Sequence, residues 1–190
     1  MNSNFNFDIA ANGKISNNFL NRNVSDFKSA MTFITQLPYG RNKDKRNLTT
    51  LFDDGFGTCS TKHAVLKELA VENSIPQVKL ILGLFRMNEH NTPAVSKILL
   101  KENLDYIPEA HNYLKIDNTI VDCTFSNSSK LNFITDLILE TEIESNQITD
   151  YKVNFHKQYL ETWLLKEPSL SMSLQELWLI RENCISALSS

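Results

Sequence analysis

Cys59 follows Asp53-Asp54-Gly55-Phe56-Gly57-Thr58 and precedes a run with helical apolar spacing, so the sequence puts a thiol in the first turn of a helix. That turn offers unsatisfied backbone N–H groups and the positive end of the helix dipole. With a base nearby, they draw a thiol from about 8.5 into the range of roughly 3.5–7.5. The same N–H groups suit a developing oxyanion. Gly55 and Gly57 leave room for a substrate to approach. On its own, a cysteine at such a place is more often a small buried residue.

Two β-prone runs downstream, Asn112 to Ile116 and Thr119 to Thr124, are split by Asp117-Asn118, a pair suited to a two-residue hairpin turn. With that turn, Ile116 faces Thr119, Tyr113 faces Asp122 and His111 faces Thr124. Residues two apart share a face, so His111, Tyr113, Asp122 and Thr124 project from one side. His111 and Asp122 become diagonal neighbours with Cα atoms about 7–8 Å apart, near enough for imidazole and carboxylate to meet. A turn with one residue more or fewer puts them on opposite faces. The chemistry this implies is a thiol nucleophile, an imidazole that takes its proton, and a carboxylate that fixes the tautomer. Without the cysteine upstream, the pair reads as a surface histidine and a solvated aspartate.

The elements that must position these groups follow from periodicity. The Asn-rich first 23 residues predict an irregular or partly mobile start. From Ser25, the spacing of Phe27, Ala30, Met31, Ile34 and Leu37 predicts a helix that stops at Pro38-Tyr39-Gly40, before a polar loop to about Thr50. Asp53 to Gly57 reads as a turn, and Thr58 caps the helix carrying Ala64, Val65, Leu66, Leu69 and Ala70. Val78 to Phe85 reads as a buried strand, Thr92-Pro93 opens a short helix to about Glu102, and Asp136 to Ile143 reads as a strand. Two helices follow, about Val153 to Lys166 and Leu174 to Leu188, the second opened by a Ser173-x-x-Glu176 capping box.

Composition narrows the class. The 190 residues suit one domain, and 42% hydrophobic with 22% charged residues is ordinary for a globular protein. A net charge of −3 argues against nucleic acid, and the one basic cluster, Arg41 to Arg46, is interrupted by Asp44 and reads as a solvated loop. No stretch reaches the roughly 18 apolar residues of a membrane helix. Met1 to Phe7 lacks the basic and apolar regions of a secretory signal. Cys59, Cys123 and Cys184, three in number and widely spaced, do not read as a disulfide framework, which points to a reducing, cytoplasmic setting.

Gly57-Thr58-Cys59-Ser60 opening a helix resembles the nucleophile segment of the transglutaminase-like cysteine-enzyme superfamily. His111-Asn112-Tyr113-Leu114-Lys115-Ile116 and Ile120-Val121-Asp122-Cys123-Thr124-Phe125 resemble that family's histidine and aspartate strands. The resemblance spans roughly residues 50 to 126. It implies an α+β, papain-like core, with the nucleophile helix packed on an antiparallel sheet and supported by the upstream helix at about 25–37; the C-terminal strand and helices at about 136–188 are extra elements with no counterpart in it. Asn112-Tyr113 stands where the family often has a small residue and then tryptophan, and Cys123 replaces a usual proline.

The expected function is cysteine-dependent acyl transfer on a carboxamide or peptide bond through a thioester, as in a peptidase, amidase, deamidase or transglutaminase, with no cofactor. The rival is a binding module on the same fold, with no accessible acyl substrate. Gln36 is a candidate side-chain oxyanion donor or else a solvent-facing helix residue, and Gly57 and Tyr113 are candidate substrate-lining residues. Tyr39, Arg41 and Asn42 line a cleft or are plain loop residues. His63, four residues after Cys59, permits a metal pair, but a zinc site needs further ligands that the spacing does not supply. Cys123 and Cys184 read as core residues, and His90 and His156 have no partner visible in sequence.

Overall fold

The computed structural model describes residues 5–126 and 132–188. Part of the reading of the first seven residues therefore lies outside the described residues. Seven α-helices and a four-stranded antiparallel sheet of order β3-β2-β1-β4 are present among them. The strands are β1 (Val78–Met87), β2 (Ile107–Ile116), β3 (Thr119–Val121) and β4 (Leu137–Ile143). The chain forms two units, each discontinuous in sequence: Met1–Leu82 with His111–Ser126 and Thr141–Thr149, and Gly83–Ala110 with Asn127–Glu140 and Asp150–Ser190.

In the first unit, α1 (Lys14–Leu20) forms where an irregular start was expected. Ile15 and Phe19, one turn apart, are buried. Gly13 supplies no capping side chain; instead the Glu72 carboxylate accepts from the Ile15 N–H at 2.9 Å, the Ser16 N–H at 2.6 Å and the Ser16 hydroxyl at 2.6 Å. A carboxylate at those amides satisfies the orphan donors and complements the dipole. Helix α2 (Phe27–Gln36) is the expected one. Asp26 caps it by accepting the Ser29 N–H at 3.0 Å, and Phe27, Ala30, Met31 and Ile34 are its buried face. A short α3 (Thr50–Asp54) replaces part of the expected loop and turn, and ends at Gly55 with φ of 72°, the left-handed angle that favours glycine.

The next helix, α4 (Cys59–Glu72), is buried over nearly its whole circumference, including Lys62, His63 and Lys67. Polar groups on such a helix need partners inside the protein. Lys67 Nζ, for instance, donates to the Val78 carbonyl at 3.0 Å. The hairpin has the expected register, Leu114 opposite Val121, Lys115 opposite Ile120 and Ile116 opposite Thr119. Asp117 and Asn118 have φ of 47° and 64°, the paired positive angles of a type I′ turn, which asparagine and aspartate tolerate better than most residues.

In the second unit a 3-10 turn, Pro93–Val95, leads into α5 (Ser96–Lys101), and α6 (Asp150–Lys166) packs on α7 (Leu174–Ala187). The capping box of Ser173 and Glu176 is present as expected. Leu177, Ile180, Cys184 and Ile185 are buried on α7, and burial pushes the Cys184 thiol up to about 12, as suits a core cysteine. Arg181 donates to both Glu109 oxygens, at 2.8 and 2.5 Å. His156 Nε2 donates to the Pro108 carbonyl at 2.8 Å, its ring edge-on to Trp178 with centroids 5.3 Å apart. Among the described residues no helix is long and apolar enough to cross a membrane.

Candidate active site

The first unit holds Cys59, His111 and Asp122. Cys59 is the first residue of α4, behind Thr58 in extended backbone (φ −80°, ψ 171°). Thr58 and Thr61 form a capping box, in which the Thr58 N–H donates to Thr61 Oγ1 at 3.0 Å. The strand-like approach is fixed on its other side, because the Gly57 N–H donates to the Pro38 carbonyl at 3.1 Å and the Gly40 N–H to the Gly57 carbonyl at 3.3 Å. A Cβ at Gly57 would lie 2.9 Å from both Leu51 Cδ1 and Thr61 Oγ1. Packing against α3 and α4 therefore disfavours a larger residue here, whatever part substrate access plays.

His111 Nε2 donates to Asp122 Oδ2 at 2.9 Å, the diagonal contact the hairpin register implies. The other carboxylate oxygen accepts from the Thr124 N–H at 2.9 Å and the Thr124 hydroxyl at 2.5 Å, so both oxygens are engaged. The His111 side chain is also hydrogen-bonded to Cys59, and with Nε2 turned to Asp122 the nitrogen left for the sulfur is Nδ1. Cys59 is 8% exposed and His111 4%.

Burial disfavours the imidazolium, but the Asp122 charge, the Cys59 sulfur and the hydrogen bonds to both outweigh it and hold His111 up at about 10. Burial pushes the Asp122 carboxyl up, and the His111 charge and hydrogen bond overcome this, holding it well below the usual carboxylate range. An imidazole so placed keeps a proton beside the sulfur, ready for a leaving group.

Four further residues of α4 and β2 complete the surroundings. His63 Nδ1 lies 2.8 Å from the Cys59 carbonyl, which can only accept, while Nε2 lies 2.7 Å from the Cys123 N–H, which can only donate. Those two bonds fix His63 as the neutral Nδ1–H tautomer. Burial drives it the same way, down to about 4, against the pull of Asp122. Its Nε2 also lies 3.4 Å from Asp122 Oδ1, and with a lone pair on that nitrogen the contact is not an ion pair. Lys62, 0% exposed, donates from Nζ to the Leu37 carbonyl at 2.6 Å and the Thr124 carbonyl at 2.7 Å. Ser60 Oγ donates to Asn112 Oδ1 at 3.0 Å, and Asn112 Nδ2 to the Ile81 carbonyl at 3.0 Å. The i, i+4 spacing of Cys59 and His63 was the signal for the imidazole; nothing local marked Lys62.

The remaining candidates fall as follows. Tyr113 is fully buried, its ring stacked on that of His111 with centroids 6.2 Å apart, so it backs the imidazole from the interior. Gln36 is the exposed last residue of α2. Tyr39 stacks on Phe125 at 5.2 Å, and Asn42 is buried with Nδ2 on the Phe56 carbonyl at 2.7 Å. Cys123 is a core residue, its thiol pushed up to about 11 by burial. His90 is exposed beside Glu89. The described residues contain no group of three or more His, Cys, Asp or Glu placed to hold a metal, and both His63 nitrogens are already used. Compared with protein-family models, curated proteins and solved structures, the chain matches none.

Proposed function

We propose that this chain is a cysteine-dependent acyl-transfer enzyme on a papain-like, transglutaminase-like core, acting on a carboxamide or peptide bond of a peptide, protein or small amide in the cytoplasm. The observation that carries the reading is the contact chain from Cys59 to His111 to Asp122, assembled from a helix N-terminus and a hairpin. The Cys59 thiolate attacks the acyl carbon, and the carbonyl oxygen takes up the negative charge near the positive end of α4. The C–N bond breaks as the His111 imidazolium gives its proton to the departing amine, which leaves a thioester on the sulfur. Water or a second amine then attacks the thioester carbon, loses its proton to the now neutral His111, and releases the acid or the new amide with the thiolate. Asp122 keeps its bond to Nε2 throughout, so Nδ1 stays turned to the sulfur.

A second reading, a binding module on the same fold, draws on the low exposure of Cys59 and His111. One experiment separates the two. The protein is incubated with p-nitrophenyl acetate, and intact mass with peptide mapping locates any acetyl group. The acyl-transfer reading expects one acetyl group on Cys59, none on Cys59→Ser, and faster release on adding hydroxylamine. A folded protein that takes up no acetyl group at Cys59 supports the binding module instead.

A further inference from the structure

We propose that Lys62 is a positioning residue of the Cys59 site, a buried cation that joins the two segments flanking the nucleophile and favours the Cys59 thiolate by its charge. The inference rests on the acyl-transfer reading and adds to it the residue that balances its charges. Lys62 lies in the first turn of α4, three residues after Cys59, with no exposed surface. Its ammonium donates to Leu37, just past α2, and to Thr124, whose own N–H and hydroxyl hold Asp122. These carbonyls satisfy donors but do not neutralise a charge, and an interior cation left uncompensated costs several kcal/mol.

The titratable groups facing Lys62 are Cys59 and His63 on α4 and Asp122 and Cys123 after β3. His63 is held neutral by its two hydrogen bonds, and burial keeps the Cys123 thiol protonated. The charges that count are therefore Lys62 and imidazolium His111 against carboxylate Asp122 and thiolate Cys59, which sum to zero. Without Lys62 the thiolate–imidazolium form is a buried cluster with one excess negative charge, and the sulfur keeps its proton to higher pH. Burial pulls the Lys62 ammonium down, to about 8, while the charges of Asp122 and Cys59 oppose the fall.

The test is the pH dependence of iodoacetamide alkylation at Cys59, read by peptide mass spectrometry, in the wild type and in Lys62→Met. The midpoint is expected to rise by about one pH unit in the variant, with roughly tenfold slower alkylation at pH 6. A wild-type midpoint well below 8 with an unchanged midpoint in folded Lys62→Met overturns the role of Lys62 and leaves the acyl-transfer reading standing. An ordinary thiol midpoint in the wild type, indifferent to His111→Ala, overturns both. Should circular dichroism show that Lys62→Met does not fold, linkage supplies the converse measurement. The 13Cε resonance of Lys62 is titrated in the wild type and in Cys59→Ser. A fall in the Lys62 midpoint of about one unit in Cys59→Ser supports the proposal, and identical midpoints overturn it.

Discussion

Each unit sets a carboxylate, a cation and a histidine close together, yet the two clusters are wired differently. In the second unit Arg181 grips both oxygens of Glu109, and His156 is spent on the Pro108 carbonyl. The Glu109 charge and hydrogen bonds overcome the burial of the guanidinium, while burial leads in pushing His156 below the usual imidazole range. No member of that cluster stands between a proton donor and a proton acceptor. In the first unit His111 stands between a thiol and a carboxylate, and the neutral imidazole is its neighbour, His63. Burial and charge alone therefore do not tell the two clusters apart. What does is a titratable group with one side committed to a carboxylate and the other turned to a thiol.

The largest effect expected from breaking this contrast is on rate. His111→Ala should lower alkylation of Cys59 at pH 6 by about 10²–10⁴-fold, whereas Arg181→Met leaves it unchanged. On stability the order reverses. Arg181→Met strands the buried Glu109 charge and should cost about 3–5 kcal/mol in urea unfolding, and pairing it with Glu109→Met should recover most of that loss. A wild-type alkylation rate in His111→Ala would remove the distinction between the clusters.

The second effect is a dependence of stability on pH with opposite limbs. His63 has a native value of about 4, below the ordinary 6.5, so the unfolded chain takes the proton first and stability falls as pH drops from 6.5 through 4. His111, raised to about 10, contributes fully below 6.5, and that contribution is lost as pH rises from 6.5 through 10. Between pH 7 and pH 5 the His63 share of that loss is on the order of 2 kcal/mol, and urea unfolding of His63→Asn should lack this share while keeping that of His156 and the alkaline limb of His111.

The smallest effect concerns the segment leading into Cys59. Gly57→Ala forces a Cβ against Leu51 and Thr61 and should cost about 1–3 kcal/mol, measured by the urea midpoint. Gly55→Ala meets open space and suffers only from its positive φ, about 1 kcal/mol.

What the sequence revealed was what local rules govern. The Asp117-Asn118 turn and the alternation of side chains along two strands placed His111 opposite the right neighbours before any coordinates, and Thr58 with the apolar run after it placed Cys59 at a helix start. The missed features are tertiary. Helix α1 lacks a cap of its own and borrows Glu72, more than fifty residues away in the chain, so no window around Lys14 contains the signal. Lys62 and His63 sit on a helix buried nearly all round, where amphipathic spacing gives no face to read, and a lysine is ordinarily assumed to reach solvent. The His63 spacing was visible, but its partners are backbone groups of Cys59 and Cys123, which carry no identity in a sequence.

The tight tip of the hairpin has a consequence for how such a chain can diverge. Surface connections usually tolerate gained or lost residues, but an indel of one codon between Ile116 and Thr119 would swing the imidazole and the carboxylate to opposite sides of the ribbon. Relatives that keep the His111–Asp122 contact should accordingly vary this tip in residue identity, or in length by even steps, and drift freely elsewhere on the surface.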